Sequence, residues 1–180
     1  MFGCVYKNKR VLVTGHTGFK GSWLSLWLLE MGAEVHGIAL EPKTADDNFV
    51  AAGLEKRIHH NICNIKDKEA LLERFRAIQP EIVFHLAAQP LVKASYDDPV
   101  DTFATNLMGT VHVLDAIRHT PSVKTAVLIT SDKCYKNVEW EWGYRETDEL
   151  GGTEPYGASK ACAEIAIQSY RQSFFNGEGA

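Results

Sequence analysis

The 180-residue sequence predicts an α/β protein built on a doubly wound parallel sheet. Three observations predict it. Short apolar runs alternate with segments of helical apolar spacing along almost the whole chain. The runs are continuous rather than alternating, as strands buried on both faces require. Glycines cluster directly after the first run, where the first helix opens. Right-handed crossovers place ligand contacts beyond the carboxyl ends of such strands, so the residues following each strand are the candidates for chemistry.

The elements follow in order. Residues 11–14 (VLVT) form the first strand, which ends at Gly15. Residues 22–31 carry apolar side chains at 23, 24, 27, 28 and 31, a helical spacing that Gly32 stops. Trp23 and Trp27 share a face of that helix and are expected in the core, a stacking platform being the alternative. Residues 35–40 form a second strand, closed by Pro42, and 59–65 a weaker third, with His59 and His60 as strand or surface residues. A helix over 67–78 has apolar residues at 71, 72, 75 and 78 and ends before Pro80. Residues 82–88 form the fourth strand. A loop with Pro90, Asp97, Asp98 and Pro99 leads into a long helix over 100–118. The fifth strand covers 125–130. A polar loop holding Trp140 and Trp142, which either shield a site or pack, precedes a last helix over 156–175.

Composition narrows the function classes. With 45% apolar and 23% charged residues, the chain is neither disordered nor collagen-like. Nineteen basic against 23 acidic residues, a net charge of −4, leave no electrostatic footprint for nucleic acid or a membrane surface. Cys4, Cys63, Cys134 and Cys162 form no C-x-x-C pair, so reduced thiols are expected, with neither disulfide framework nor metal site. The first residues lack an apolar signal region, Phe2 excludes myristoylation, and the apolar window 23–29 is too short to span a bilayer. A cytoplasmic protein of one domain, or one part of something larger, is expected.

The first strand runs into Gly15-His16-Thr17-Gly18-Phe19-Lys20-Gly21. Glycines allow a tight turn and close approach to a pyrophosphate, whose charge meets the N–H groups of the helix start. The G-x-x-G-x-x-G spacing differs from the general dinucleotide fingerprint, but its position between first strand and first helix predicts a Rossmann-type nucleotide cofactor site. Glu41, 20 residues after Gly21 and with no arginine beside it, would accept hydrogen bonds from a ribose, favouring NAD over NADP; a solvated loop charge is the alternative. His16 lies near the expected pyrophosphate and is assigned no chemistry.

After the fifth strand come Ser131-Asp132-Lys133, and later Tyr156 and Lys160, one helical turn apart. An ammonium beside a phenol stabilises the phenolate and makes tyrosine a usable base near neutral pH. A Ser131 hydroxyl could hold a substrate alcohol beside that phenol. A Tyr-Lys surface pair is the plain alternative.

The glycine motif, Leu86-Ala87-Ala88, the Tyr156/Lys160 pair and Asn106 together resemble the extended short-chain dehydrogenase/reductase family that modifies nucleotide sugars. Segments 14–27 (TGHTGFKGSWLSLW) and 129–135 (ITSDKCY), with 142–146, are similar to its branch of 4,6-dehydratases acting on CDP-glucose. The resemblance implies an internal redox cycle with NAD: oxidation at C4′, loss of water across C5′ and C6′, and reduction at C6′, giving a 4-keto-6-deoxy sugar. It implies cofactor contacts at Gly15, Thr17, Gly18, Phe19, Gly21, Glu41, Asn64, Ile65, Leu86, Ala87, Ala88, Asn106, Tyr156 and Lys160. Asn64 stands where relatives often carry Asp facing the adenine, and a turn residue is the alternative reading. Ser131 would orient the 4′-oxygen, with Gln89 and Ser95, and also Lys93, as further candidate contacts. Asp132 would be the acid for the departing 6′-hydroxyl. Lys133 replaces the glutamate that serves related dehydratases as C5′ base, which leaves that base open.

Rival readings are a GDP-mannose or dTDP-glucose dehydratase, a 4-epimerase, and a non-catalytic NAD-sensing module. The helices over 100–118 and 156–175 resemble those through which the family dimerises. Family members are about twice this length, so the chain is expected to stop before a sixth strand and to lack the C-terminal nucleotide-sugar lobe. Alone, it should bind NAD better than it turns over sugar.

Overall fold

Arg10–Thr14 (β1), Glu34–Ala39 (β2), His59–Ile62 (β3), Ile82–His85 (β4) and Thr125–Leu128 (β5) pair in one sheet of order β3-β2-β1-β4-β5, every pair parallel. The computed structural model describes residues 2–175. The order reverses between β1 and β4, the switch point beside which such sheets bind ligands. The expected α/β class and five strands are borne out. The helices are Phe19–Glu30 (α1), Asn48–Ala51 (α2), Lys68–Ile78 (α3), Val92–Asp97 (α4), Pro99–Phe103 (α5), Gly109–Arg118 (α6) and Pro155–Tyr170 (α7). No helix among the described residues is long and apolar enough to cross a membrane.

The chain falls into two compact units. One contains residues up to Ala87 with His119–Ile129, hence the whole sheet and α1–α3. The other contains Ala88–Arg118 and residues from Thr130 on, hence α4–α7.

In the sheet unit, Val11 and Val13 of β1 pack with Leu28 of α1, Ala33 and Val35, and Tyr6, Leu24, Ile82 and Phe84 surround them. Leu12 alternates to the other face and is also fully buried, as are Leu71 and Phe75 of α3 and Val83 of β4. Asp67 starts α3 by accepting a hydrogen bond from the Ala70 N–H at 3.1 Å. Gly32, at φ +81°, ends the α1 segment where the sequence places its stop.

Several expectations need correction. The strands β3, β4 and β5 end two or three residues before the apolar runs do, because residues such as Ile65 pack beyond the ladder rather than pair in it. The helix α1 begins at Phe19, three residues early, with Gly18 as its N-cap. Trp23 and Trp27 are not core residues: they are 54% and 47% exposed, while Gly21, Ser22, Ser25 and Leu28 turn inward. Only small side chains let this helix lie close to the glycine loop, so the bulky ones point out. The run 125–130 was expected to be buried on both faces, yet Thr125, Ala126 and Val127 of the edge strand β5 are exposed. The short helices α2 and α4 fall where loops were expected.

In the helical unit, α5, a π-helical turn Ala104–Met108 and α6 form the expected long helix. Asp98 caps α5 through the Asp101 N–H at 2.9 Å, with Pro99 at the first helical position. The last expected helix begins at Pro155 and continues past α7 as a second π-helical turn, Arg171–Phe175.

Candidate functional site

The glycine loop is built by contacts that only glycine permits. Gly15 has φ +76°, and a side chain there would meet the Ala87 backbone at 2.7 Å. A side chain at Gly21 would overlap the Gly15 carbonyl, so the first turn of α1 presses directly on the loop. Gly18 has no such neighbour closer than 3.3 Å and caps α1 without any side-chain bond. The Gly18 N–H donates to the Gly15 carbonyl and its own carbonyl accepts from Ser22, which leaves the first N–H groups of α1 to a ligand, the arrangement a pyrophosphate needs. The residues present therefore fit a dinucleotide. Thr14, to which the sequence reading gives no role of its own, fastens the loop's far wall: its hydroxyl bonds His85 Nδ1 at 2.7 Å and accepts from the Ala87 N–H at 3.2 Å. Leu86 N–H donates to the Thr14 carbonyl at 3.1 Å, tying the Leu86-Ala87 turn to β1.

Around the ends of β2 and β3, Thr17 donates to the Leu40 carbonyl at 3.0 Å, and Phe19 is exposed at the start of α1. Glu41 is exposed two residues past β2 and lines a cleft of about 280 Å³ with Pro42, Phe49, Lys56 and His60. Asn64 is half-buried and its side-chain oxygen accepts from the Lys66 N–H at 3.0 Å, forming a turn, while Ile65 is buried. His16 is fully buried, not beside solvent: its Nε2 bonds His60 Nδ1 at 2.6 Å and its ring meets Phe49 edge-on. Burial, then the neighbouring His60, pushes the His16 pKa down to about 4. Gly37 of β2 makes this possible, because any side chain there would collide with the His16 ring.

In the helical unit, Asn106 sits in the π-helical turn and is 1% exposed. Its amide donates to the Gln89 carbonyl at 3.1 Å and to Ser159 Oγ at 2.9 Å, and its oxygen accepts from the Gln89 N–H at 2.8 Å. The side chain of Gln89 is itself held by Leu91 and Thr102. Ser95 is fully buried, donating to the Val92 carbonyl at 2.7 Å, and Lys93 is exposed. Asn106, Gln89 and Ser159 thus form a hydrogen-bonded brace in this unit, while Ser95 bonds within α4.

The residues after β5 open a 3-10 turn, Asp132–Cys134. Ser131 caps it, accepting from the Lys133 N–H at 3.2 Å and donating to Asp132 Oδ1 at 3.1 Å. Asp132 and Lys133 line a cleft of about 250 Å³ with Tyr135, Asn137, Tyr144 and Glu154. Glu154 caps α7 by accepting from the Gly157 N–H at 3.0 Å. Tyr156 is half-buried near the start of α7, and Lys160, one turn on, is only 5% exposed. Burial pushes the Lys160 pKa down, opposed by Glu164 a further turn along. Glu164 also accepts a short hydrogen bond from Thr130. Its spacing from Lys160 was a usable sequence signal. Trp140 packs against Tyr144, which stacks on Tyr135, while Trp142 is exposed.

Comparison with known proteins supports the motif reading. Residues 12–175 match the family model described as GDP-mannose 4,6 dehydratase. The chain is 53% identical over 171 residues to the CDP-glucose 4,6-dehydratase of Salmonella typhimurium, covering 95% of this chain and 48% of that protein. It is 30% identical to the human GDP-mannose 4,6 dehydratase, covering 91% and 46%. Among solved structures, the Thermus thermophilus UDP-glucose 4-epimerase in complex with NAD superposes with a TM-score of 0.80 at 34% identity, covering 92% of this chain and 52% of that one. The chain spans about half the length of the relatives it matches. With its glycine loop, parallel sheet and Tyr156/Lys160 helix in place, the chain belongs to the GDP-mannose 4,6 dehydratase family.

Proposed function

We propose that this chain is the NAD-binding, catalysis-bearing domain of a hydro-lyase, a nucleotide-sugar 4,6-dehydratase that converts CDP-glucose to CDP-4-keto-6-deoxyglucose. NAD would be held by Gly15, Thr17, Gly18, Phe19 and Gly21, with Glu41 at the ribose, Asn64 and Ile65 at the adenine, and Leu86, Ala87 and Ala88 along the loop. When bound, it supplies reversible two-electron redox chemistry to the sugar, ending with no net change in the cofactor.

The chain's own residues would move the protons. Tyr156 takes the proton of the 4′-hydroxyl while Ser131 orients that oxygen. Lys160, stripped of most of its water by burial, favours the phenolate more strongly than a solvated ammonium would. Once C4′ is a ketone, the C5′ proton is acidic, and Lys133 takes it while Asp132 protonates the leaving 6′-hydroxyl. A lysine acts as a base only as the neutral amine. Asn106 acts indirectly in this scheme, as the residue that positions the Gln89 turn against Ser159 of the catalytic helix.

The observation that carries this reading is Asp132 and Lys133 lining one cleft from the turn that Ser131 caps, in the unit that also buries Lys160 a turn from Tyr156. An acid for the 6′-hydroxyl is superfluous in a simple 4-epimerase. The choice of CDP-glucose rests on the Salmonella typhimurium relative. A homodimer fits the apolar side chains exposed on the two long helical segments, Val100, Met108 and Ile165. A cytoplasmic location belongs to the same reading.

The test is incubation of the full-length protein with CDP-glucose, GDP-mannose, dTDP-glucose and UDP-glucose in turn. The ultraviolet absorbance of a 4-keto sugar in base should appear with CDP-glucose alone. Formation of a 4-epimer instead would overturn the proposal. Tyr156→Phe should lower turnover by roughly 10²–10⁴-fold, far more than it weakens cofactor binding. Lys133→Met should also bind NAD but stop the elimination; wild-type turnover in that variant would remove Lys133 from the scheme.

A further inference from the structure

At the amino-terminal half of β2 and β3, away from the glycine loop, three potential ligands converge on one face of the sheet. His36 and His59 are direct partners in the parallel β2–β3 register, and Glu34 lies two residues before His36 on the same face. The two imidazoles stack with centroids 4.3 Å apart and planes 15° from parallel. Each turns Nε2 toward the same carboxylate oxygen, His36 at 2.9 Å and His59 at 3.7 Å from Glu34 Oε1. All three ligand atoms lie within 4.8 Å of one another.

We propose that Glu34, His36 and His59 bind a first-row divalent metal ion, Zn²⁺, through two imidazole nitrogens and one carboxylate oxygen, with water completing the shell. Tetrahedral Zn²⁺ with bonds of about 2.0–2.1 Å sets its ligands about 3.3 Å apart, so the pairs at 2.9 and 3.7 Å bracket the requirement. Stacked rings hold their in-plane lone pairs nearly parallel, so the exposed His59 ring must turn out of the stack to aim Nε2 at the ion. Two imidazoles with one carboxylate select a borderline transition ion over Mg²⁺ or Ca²⁺, which prefer oxygen ligands. Arg10, in register with Glu34 on β1, has its Nε engaged by the Gln79 carbonyl at 2.9 Å. The ion would staple β3, a four-residue edge strand, to β2, a structural task independent of the proposed chemistry. Cysteine spacing holds no trace of such a site because its ligands come from two strands and include no thiol.

Zn²⁺ titration of the metal-free, full-length protein by calorimetry tests this, alongside His59→Ala and Glu34→Gln. The wild type should take up one Zn²⁺ that both variants bind at least about tenfold more weakly, and Zn²⁺ should raise the melting temperature of the wild type alone. The His59 side chain is 62% exposed, so His59→Ala should match the wild-type melting temperature in chelator. Zn²⁺ uptake unchanged in both variants, as binding through the exposed Cys4 would give, overturns the proposal, as does the absence of uptake by the wild type.

Discussion

In the sheet unit the largest fully buried side chains are Phe49, Phe75, Leu12, Leu28 and Ile38. In the helical unit, buried positions beside Val113, Leu114 and Ile117 include Ser95, Thr102, Asn106, Thr110, Ser159 and Lys160. The first unit is held chiefly by apolar packing, which responds to volume, and the second by a hydrogen-bonded brace, which responds to whether every polar group keeps its partner. The exceptions are informative. Thr14, His16, Ser22, Ser25 and His85, the buried polar residues of the sheet unit's carboxyl end, surround the glycine loop. Polar burial therefore marks the candidate sites in both units.

The contrast can be sharpened by substitution. Phe75→Ala, which opens a void in the apolar core, should cost about 3–5 kcal/mol in urea unfolding, and a cost below about 1 kcal/mol would break the assignment. His16 offers a pH test of the polar exception. Its folded pKa, about 4, lies below the ordinary 6.5, so the unfolded chain takes up the proton first as pH falls. The stability linked to neutral His16 is complete above pH 6.5 and is lost toward pH 4, about 3 kcal/mol in all. Denaturant titrations at several pH values should show this loss in the wild type and not in His16→Asn.

In the helical unit, Asn106→Leu preserves volume but strands the Gln89 backbone and Ser159, costing about 2 kcal/mol in the same assay. An equal cost for a volume-preserving change in the sheet core, such as Leu12→Met, would erase the distinction. The smallest effect belongs to Trp23→Ser, expected within about 0.5 kcal/mol of wild type because that side chain faces outward.

The parallel sheet and glycine loop were legible because continuous apolar runs and glycine spacing are local, repeated signals. Helix α2 was not, since four residues carry less than two turns of periodicity. Trp23 and Trp27 misled because helical spacing shows that two residues share a face but not which face is buried, and here Gly21 and Ser25 decide it. Asn106 was legible as a position but not in its contacts, which join residues 17 and 53 apart in sequence. The capping role of Glu154 was readable from its place just before Pro155, a proline at the first position of a helix.

The collision awaiting any side chain at Gly37 binds the history of two positions together. While His16 fills that space, Gly37→Ala is excluded; once residue 16 is small, alanine at 37 becomes acceptable and glycine loses its purpose. The two substitutions should be strongly non-additive, each harmful alone and milder together. A glycine loop exchanged between relatives will therefore fold only if the residue on the neighbouring strand travels with it.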